Sequence, residues 1–142
     1  MTYPAGFEEQ QVVGGLTRPT NVAWAPDGRT FIVEKDGLLK VVAPGGSTAS
    51  LVLDLNTRVN SAHDRGLLGL AVDSQFPQHP YLYLLYTYEL NPMTPDSTSP
   101  MVSQLLRVRI NSASQVTEQT VLMGTYTSGV CGPCEHPGLP AV

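Results

Sequence analysis

The stretch TFIVEKDGLLKVV, residues 30 to 42, decides the fold. Two five-residue runs, Thr30 to Glu34 and Leu38 to Val42, are dominated by Val, Ile, Leu and Phe, and Asp36-Gly37 stands between them. An Asp-Gly pair flanked by apolar runs is the strongest short-range hairpin signal, because the favoured two-residue turn needs positive φ at both central positions. The stretch therefore predicts two antiparallel strands joined by a tight turn.

The same alternation of strand and turn extends outward. Pro26-Asp-Gly-Arg29 is a turn that separates a short apolar segment, Asn21 to Trp24, from the hairpin. Phe7 to Val13 is a further strand candidate, closed by Gly14-Gly15, and Pro44-Gly45-Gly46 closes the hairpin on its other side. Strands follow over Leu51 to Leu55, Leu67 to Val72, Tyr81 to Tyr88, Ser103 to Ile110 and Gln119 to Gly124. Tyr81 to Tyr88 is apolar on both alternating faces, which predicts cover on both sides. A Pro-, Ser- and Thr-rich loop spans 91 to 100. No window of a dozen residues keeps a 3.6-residue period, so the chain is all-β.

Composition agrees. Of 142 residues 14% are charged, against about 25% in an average domain, whereas Gly (13) and Pro (12) are plentiful. That balance favours strands and turns over helices. A net charge of −4 leaves no basic footprint for nucleic acid. No run approaches the ~18 apolar residues of a membrane span, and Met1 to Gly6 lacks the charged and apolar regions of a signal peptide.

An internal echo sets the architecture. Val22-Ala-Trp-Ala-Pro-Asp-Gly28, followed by a strand, returns as Leu70-Ala-Val-Asp-Ser-Gln-Phe76, followed by a strand. The offset of 48 residues (72 − 24) lies near the ~40 to 50 residue period of propeller blades, each a four-stranded antiparallel sheet packed against its neighbours. The expectation is one partial β-propeller domain of two to three blades: a first blade region over 7–60, a second over 61–125, and a Cys-containing loop or tail over 126–142. Such an arc leaves blade edges and an apolar blade face open, which predicts self-association or packing against further blades. Glu89 is the only charge between residues 74 and 95 that could guard that surface.

The residues also resemble a family, the soluble glucose/sorbosone dehydrogenase-type quinoproteins. The matching features, in order, are Leu16-Thr-Arg-Pro19, Val22-Ala-Trp24, Pro26 to Glu34, Gly37 to Val41, Arg65-Gly-Leu-Leu-Gly-Leu-Ala-Val72, Phe76 and Tyr81-Leu-Tyr83. The resemblance implies a six-bladed parent that uses pyrroloquinoline quinone (PQQ) and calcium and oxidises a sugar by hydride transfer to the quinone. It also implies a periplasmic or extracellular home. It places the turn before Gly-Leu-Leu-Gly at the mouth of the central cleft, beside the quinone. Asp64 then takes a position where relatives often carry Gln or Glu, and Asp64 with Arg65 are the candidate cofactor-binding residues. The plainer reading makes His63-Asp64-Arg65 a solvated turn with a local ion pair of little worth.

The family's catalytic base is a neutral imidazole that takes the proton of the anomeric hydroxyl. Glu135-His136-Pro-Gly138 is the local match, so His136 is the candidate, although some relatives insert a Cys-containing loop here and carry the base further on. Calcium ligands and the cations that hold PQQ belong to later blades in this family, so neither cofactor is expected on this chain alone. Cys131-Gly-Pro-Cys134 admits four readings. These are a loop disulfide suited to an exported protein, a Zn site that recruits distant His residues, free thiols, and a thioredoxin-type redox pair. Trp24 and the tyrosines of 81–88 read as blade-packing residues, and His79 as an exposed turn residue. Two functions remain: part of an exported sugar dehydrogenase, inactive alone, or a non-enzymatic binding or self-assembling module.

Overall fold

A computed structural model describes residues 3–90 and 102–124, with the backbone of 126–127 and 130–131. Eight strands form two four-stranded antiparallel sheets in simple sequence order. The first sheet comprises β1 (Pro19–Trp24), β2 (Thr30–Glu34), β3 (Leu38–Val42) and β4 (Ala49–Asp54). The second comprises β5 (Leu67–Val72), β6 (Tyr81–Tyr88), β7 (Val102–Ile110) and β8 (Val116–Met123). A two-residue ladder pairs β9 (Tyr126–Thr127) with β10 (Val130–Cys131). The described residues contain no helix.

The two sheets are one structural unit used twice. Pro19 pairs with Glu34 and Trp24 with Thr30, with a register shift between Pro19 and Asn21. Leu67 pairs with Tyr86 and Val72 with Leu82, with a shift between Leu67 and Gly69. The 48-residue offset thus carries strand, register and bulge together. A second bulge recurs where β4 and β8 join, between Leu39 and Lys40 in one sheet and between Leu105 and Leu106 in the other.

The core lies between the sheets. Phe31, Val33, Leu39 and Val41 point from the first sheet, and Leu82, Leu84, Tyr86, Leu106 and Val108 from the second, all buried. Each such side chain contributes about 1.5–3 kcal/mol relative to leaving it in water. Burial pushes the Tyr86 phenol up to about 12, and its hydroxyl donates to Gln104 Oε1. The strands nearest each other are β1 and β5: Thr20 Oγ1 donates to the Leu67 carbonyl at 2.6 Å.

Four expectations are corrected. Phe7 to Val13 forms no strand. Phe7 and Val12 are more than 70% exposed, and only Gly14 makes a bridge, to Thr48. Four of its seven residues, Glu8 to Gln11, are polar, and the segment lies exposed through Val12. The Asp36-Gly37 hairpin exists, but its loop has three residues (35–37) and only Gly37 has positive φ, +107°. Gly37 N donates to the Glu34 carbonyl at 3.0 Å, the pattern of a three-residue loop that ends in a positive-φ glycine. Finally, β6 is fully covered on one face only: Leu82, Leu84 and Tyr86 are buried, whereas Leu85 opposite is 47% exposed. Glu89, expected as a surface guard, is itself buried.

At the end of the sheets formed by loops 25–29, 73–80 and 111–115, Arg29 ties the two sheets together. It is 8% exposed, and its guanidinium bonds Asp27 through Nε (2.9 Å) and through the second terminal nitrogen (2.8 Å). Nη1 donates to the Asn111 carbonyl and to Ser114 Oγ, both at 3.0 Å. The guanidinium also lies over the Phe31 and Phe76 rings, 5.5 and 5.0 Å from their centroids. Lysine can supply neither the planar fork nor the stacking. Arg29→Lys should therefore lower the urea midpoint by the equivalent of about 2 kcal/mol, and Arg29→Ala by more. An unchanged midpoint for both would show that the tie carries no stability.

Candidate functional site

The opposite end of the sheets collects the polar residues. Three segments meet there: the approach to β1 at Thr17-Arg18, the hairpin loop 35–37, and the connection 55–66 between the sheets. Val59 bridges to Tyr88, and Asn60 N donates to the Thr87 carbonyl at 2.9 Å, which pins the connection along the end of β6. Buried Asn60 donates through Nδ2 to Glu89 Oε2 at 2.9 Å. Its Oδ1 accepts from Ala62 N (3.3 Å) and more loosely from Arg65 Nη1 (3.4 Å). A buried Asn–Glu pair therefore sets the start of the turn that carries His63, Asp64 and Arg65.

The other side of that turn rests on the first sheet. Leu67 N donates to the Lys35 carbonyl at 2.9 Å, and Lys35 Nζ donates to the His63 carbonyl. Asp36 is held by Arg18 and by a hydrogen bond from Ser61. Burial opposes ionisation of Asp36. The hydrogen bonds from Arg18 and Ser61, with the charges of Arg18 and Lys35, outweigh it and hold the carboxyl below its usual range. His63 has a left-handed backbone, φ +51°. Gly66 has φ +143°, and a Cβ there would sit 2.7 Å from the Lys35 carbonyl oxygen. This explains the glycine that opens Gly-Leu-Leu-Gly: the chain passes too close to the neighbouring hairpin for any side chain.

The candidate residues separate accordingly. His63 and Asp64 are exposed at the rim, whereas Arg65 is half-buried and its guanidinium reaches inward to Asn60. His136 and Cys134 lie outside the described residues. Cys131 is described only as backbone in β10. His79, in the loop at the far end, is exposed with Nδ1 3.8 Å from Asp73 Oδ1. Sequence reasoning did not assign Arg18, Asp36, Asn60 or Glu89 to the site. Glu89 carried a signal in being the lone charge in a long apolar stretch. The others look like ordinary loop residues until the chain folds.

PQQ is a tricarboxylate. At this rim Asp36 neutralises Arg18, while Lys35 and Arg65 bond the neutral His63 carbonyl and Asn60 amide and keep their charge, and Asp64 adds a carboxylate, so the described rim alone does not balance three carboxylates. No group of three or more His, Cys, Asp or Glu is placed to hold a metal ion among the described residues. No helix among them is long and apolar enough to cross a membrane.

Comparison with known proteins places this arrangement. The sequence profile of the family described as Glucose / Sorbosone dehydrogenase matches residues 16–131. The chain belongs to the glucose/sorbosone dehydrogenase family. It is 27% identical over 117 residues to quinoprotein glucose dehydrogenase B of Acinetobacter calcoaceticus, a match that covers 81% of this chain and 24% of that protein. An oxidoreductase of Thermus thermophilus, described as a glucose dehydrogenase, superposes with a TM-score of 0.61 at 30% identity, over 79% of this chain and 30% of that one. The PQQ-bound aldose sugar dehydrogenase of Streptomyces coelicolor gives the same TM-score at 15% identity, over 80% and 32%, a likeness of fold. The chain thus spans about a quarter to a third of these family members, and its two sheets are two β-propeller blades.

Two outcomes test the site's construction. Gly66→Ala forces a Cβ against the Lys35 carbonyl and should cost about 2–3 kcal/mol in chemical denaturation. A stability equal to wild type would show that the two loops are not in contact. The lowered Asp36 carboxyl means that the unfolded chain binds its proton more readily. Its contribution is therefore complete above the unfolded value of about 3.9 and fades as pH falls through the lower folded value. Asp36→Asn should flatten the loss of stability below about pH 5, and an unaltered acid limb would contradict the Arg18–Asp36–Ser61 contact.

Proposed function

We propose that this chain is part of a PQQ-dependent aldose or sorbosone dehydrogenase-like protein. In the full-length protein a sugar is oxidised by hydride transfer to the quinone. The observation that carries the reading is the match of the family profile to residues 16–131, on a chain whose sheets are blades of that family's fold. In this reading the rim turn His63-Asp64-Arg65 contributes Asp64 toward the cofactor. Arg65, half-buried with its guanidinium on Asn60 Oδ1, is the second residue of the turn proposed to bind the cofactor. His136 takes the role of the base that removes the anomeric proton. PQQ and calcium are held by residues of the remaining blades, and the protein works in the periplasm or outside the cell, where a Cys131–Cys134 disulfide is compatible with the redox conditions.

A propeller reaction site is built by several blades around one axis, and two blades supply one sector of it. The described sector, with Arg18 neutralised by Asp36 and Asp64 beside Lys35 and Arg65, does not by itself balance a tricarboxylate. We therefore expect the chain alone, supplied with PQQ, calcium and glucose or another aldose, to reduce no redox dye above the level of the cofactors without protein. Dye reduction that needs the chain and is abolished by His136→Ala would show that the site is complete within these residues. The open blade faces also support association with further blades or with other copies of the chain.

A further inference from the structure

His63 breaks a local rule. It takes the first central position of a turn that Arg65 N closes on the Ala62 carbonyl at 3.0 Å, and its φ there is +51°. A positive φ at that position usually calls for Gly, Asn or Asp, because a larger side chain crowds the backbone. His63 therefore holds a strained conformation, and such a conformation persists only where the surroundings enforce it. Asp64 follows directly, so whatever fixes His63 also fixes the direction of Asp64.

The bonds around the turn divide by what they hold. Asn60 N on the Thr87 carbonyl and Ala62 N on Asn60 Oδ1 fix the segment where it enters. Leu67 N on the Lys35 carbonyl and Thr87 N on the Gly66 carbonyl fix it where it leaves. The Lys35 ammonium instead donates to the carbonyl of the strained residue itself. That ammonium sits on an anchored arm. Lys35 N donates to the Arg18 carbonyl at 3.0 Å, and a Cβ on Gly66 would lie 2.7 Å from Lys35 Cγ, so the stem packs against the chain just after the turn. The bonded carbonyl is neutral, so the ammonium keeps its charge, and a charge-assisted bond is stronger than a neutral one.

We infer that Lys35 is a positioning residue of the cofactor turn. From the hairpin loop of the first blade, its ammonium holds the His63 carbonyl and keeps the left-handed backbone that aims Asp64. This rests on the proposed function, in which the turn faces PQQ.

Lys35→Met tests the ammonium alone. Methionine keeps the stem that packs on Gly66 and the backbone bonds to Arg18 and Leu67, and loses only the donor. The first readout is amide hydrogen exchange in the full-length protein without cofactor. We expect the Arg65 amide, which closes the turn, to exchange about tenfold faster once the charge-assisted bond is gone. The Asn60 and Leu67 amides, whose bonds do not involve the ammonium, should keep wild-type rates. Adding His63→Gly should restore protection of the Arg65 amide, because glycine adopts a positive φ without strain. PQQ affinity, measured by titration with calcium present, should weaken several-fold in Lys35→Met and recover in the double variant, since only molecules with the turn in place bind fully. An Arg65 amide unchanged by Lys35→Met, or equally fast in both variants, would overturn the positioning role, and so would faster exchange of all three amides. A PQQ affinity that stays low in the double variant while the Arg65 amide is protected would overturn it too, because Lys35 would then touch the cofactor itself. Exchange that follows the expected pattern with PQQ affinity unchanged throughout would overturn the reading that the turn faces the cofactor, and leave the Lys35–His63 contact standing.

Discussion

Phe31, Val33, Leu39 and Val41 lose their contact with water because Leu82, Leu84, Leu106 and Val108 face them from a second sheet. A four-stranded sheet that is apolar on one face must find such a cover, and here the cover is a copy of itself. The rest of the structure follows from that contact. It brings β1 beside β5, where Thr20 reaches the Leu67 carbonyl, and it brings the Asn111–Ser114 turn within reach of Arg29. It also forces the connection 55–66 to fold back over the end of the first hairpin. Gly66 is the point at which the two sheets come too close for a side chain.

The polar rim is a consequence of the same contact. The turn that carries His63 and Asp64 is closed by an internal bond, from Arg65 N to the Ala62 carbonyl at 3.0 Å. It is held from one side by Lys35 and Asp36, which belong to the first blade, and from the other by Asn60 and Glu89, tied to the end of the second. A rim residue is therefore positioned by a neighbouring blade as much as by its own. In such a design the site's geometry responds to substitutions in hairpin loops that touch no ligand.

The two blades share register and bulges but differ in chemistry. Where the second blade places Tyr86 and Leu106 against its neighbour, the first places Glu34 and Lys40, an ion pair roofed by Thr17. A buried carboxylate needs such partners. Segment 12–17 supplies one of them and so lies on the sheet face without forming a strand. The exchange of two apolar residues for an ion pair separates a fully dry blade interface from one that is half roofed and half open.

What could be read from residues alone is what local chemistry controls. The Asp36-Gly37 hairpin, the boundaries of β2, β3, β5 and β6 and the 48-residue repeat follow from alternating apolar residues and turn-forming pairs, which act within a few positions. The family resemblance followed from the order of those same motifs. Partnership across the chain was not legible. Phe7 to Val13 was expected as a strand yet pairs with none of the described strands, Leu85 has the composition of a core residue yet is 47% exposed, and Glu89 looks like a surface charge yet is buried against Asn60. The sequence by itself determined the strands, their turns and their duplication, because hydrogen-bonded hairpins close over short distances. Only the tertiary structure decided which faces are dry and which polar residues meet at the rim. Burial and ion pairing depend on groups that lie up to 85 residues apart in sequence, as Arg29 and Ser114 do.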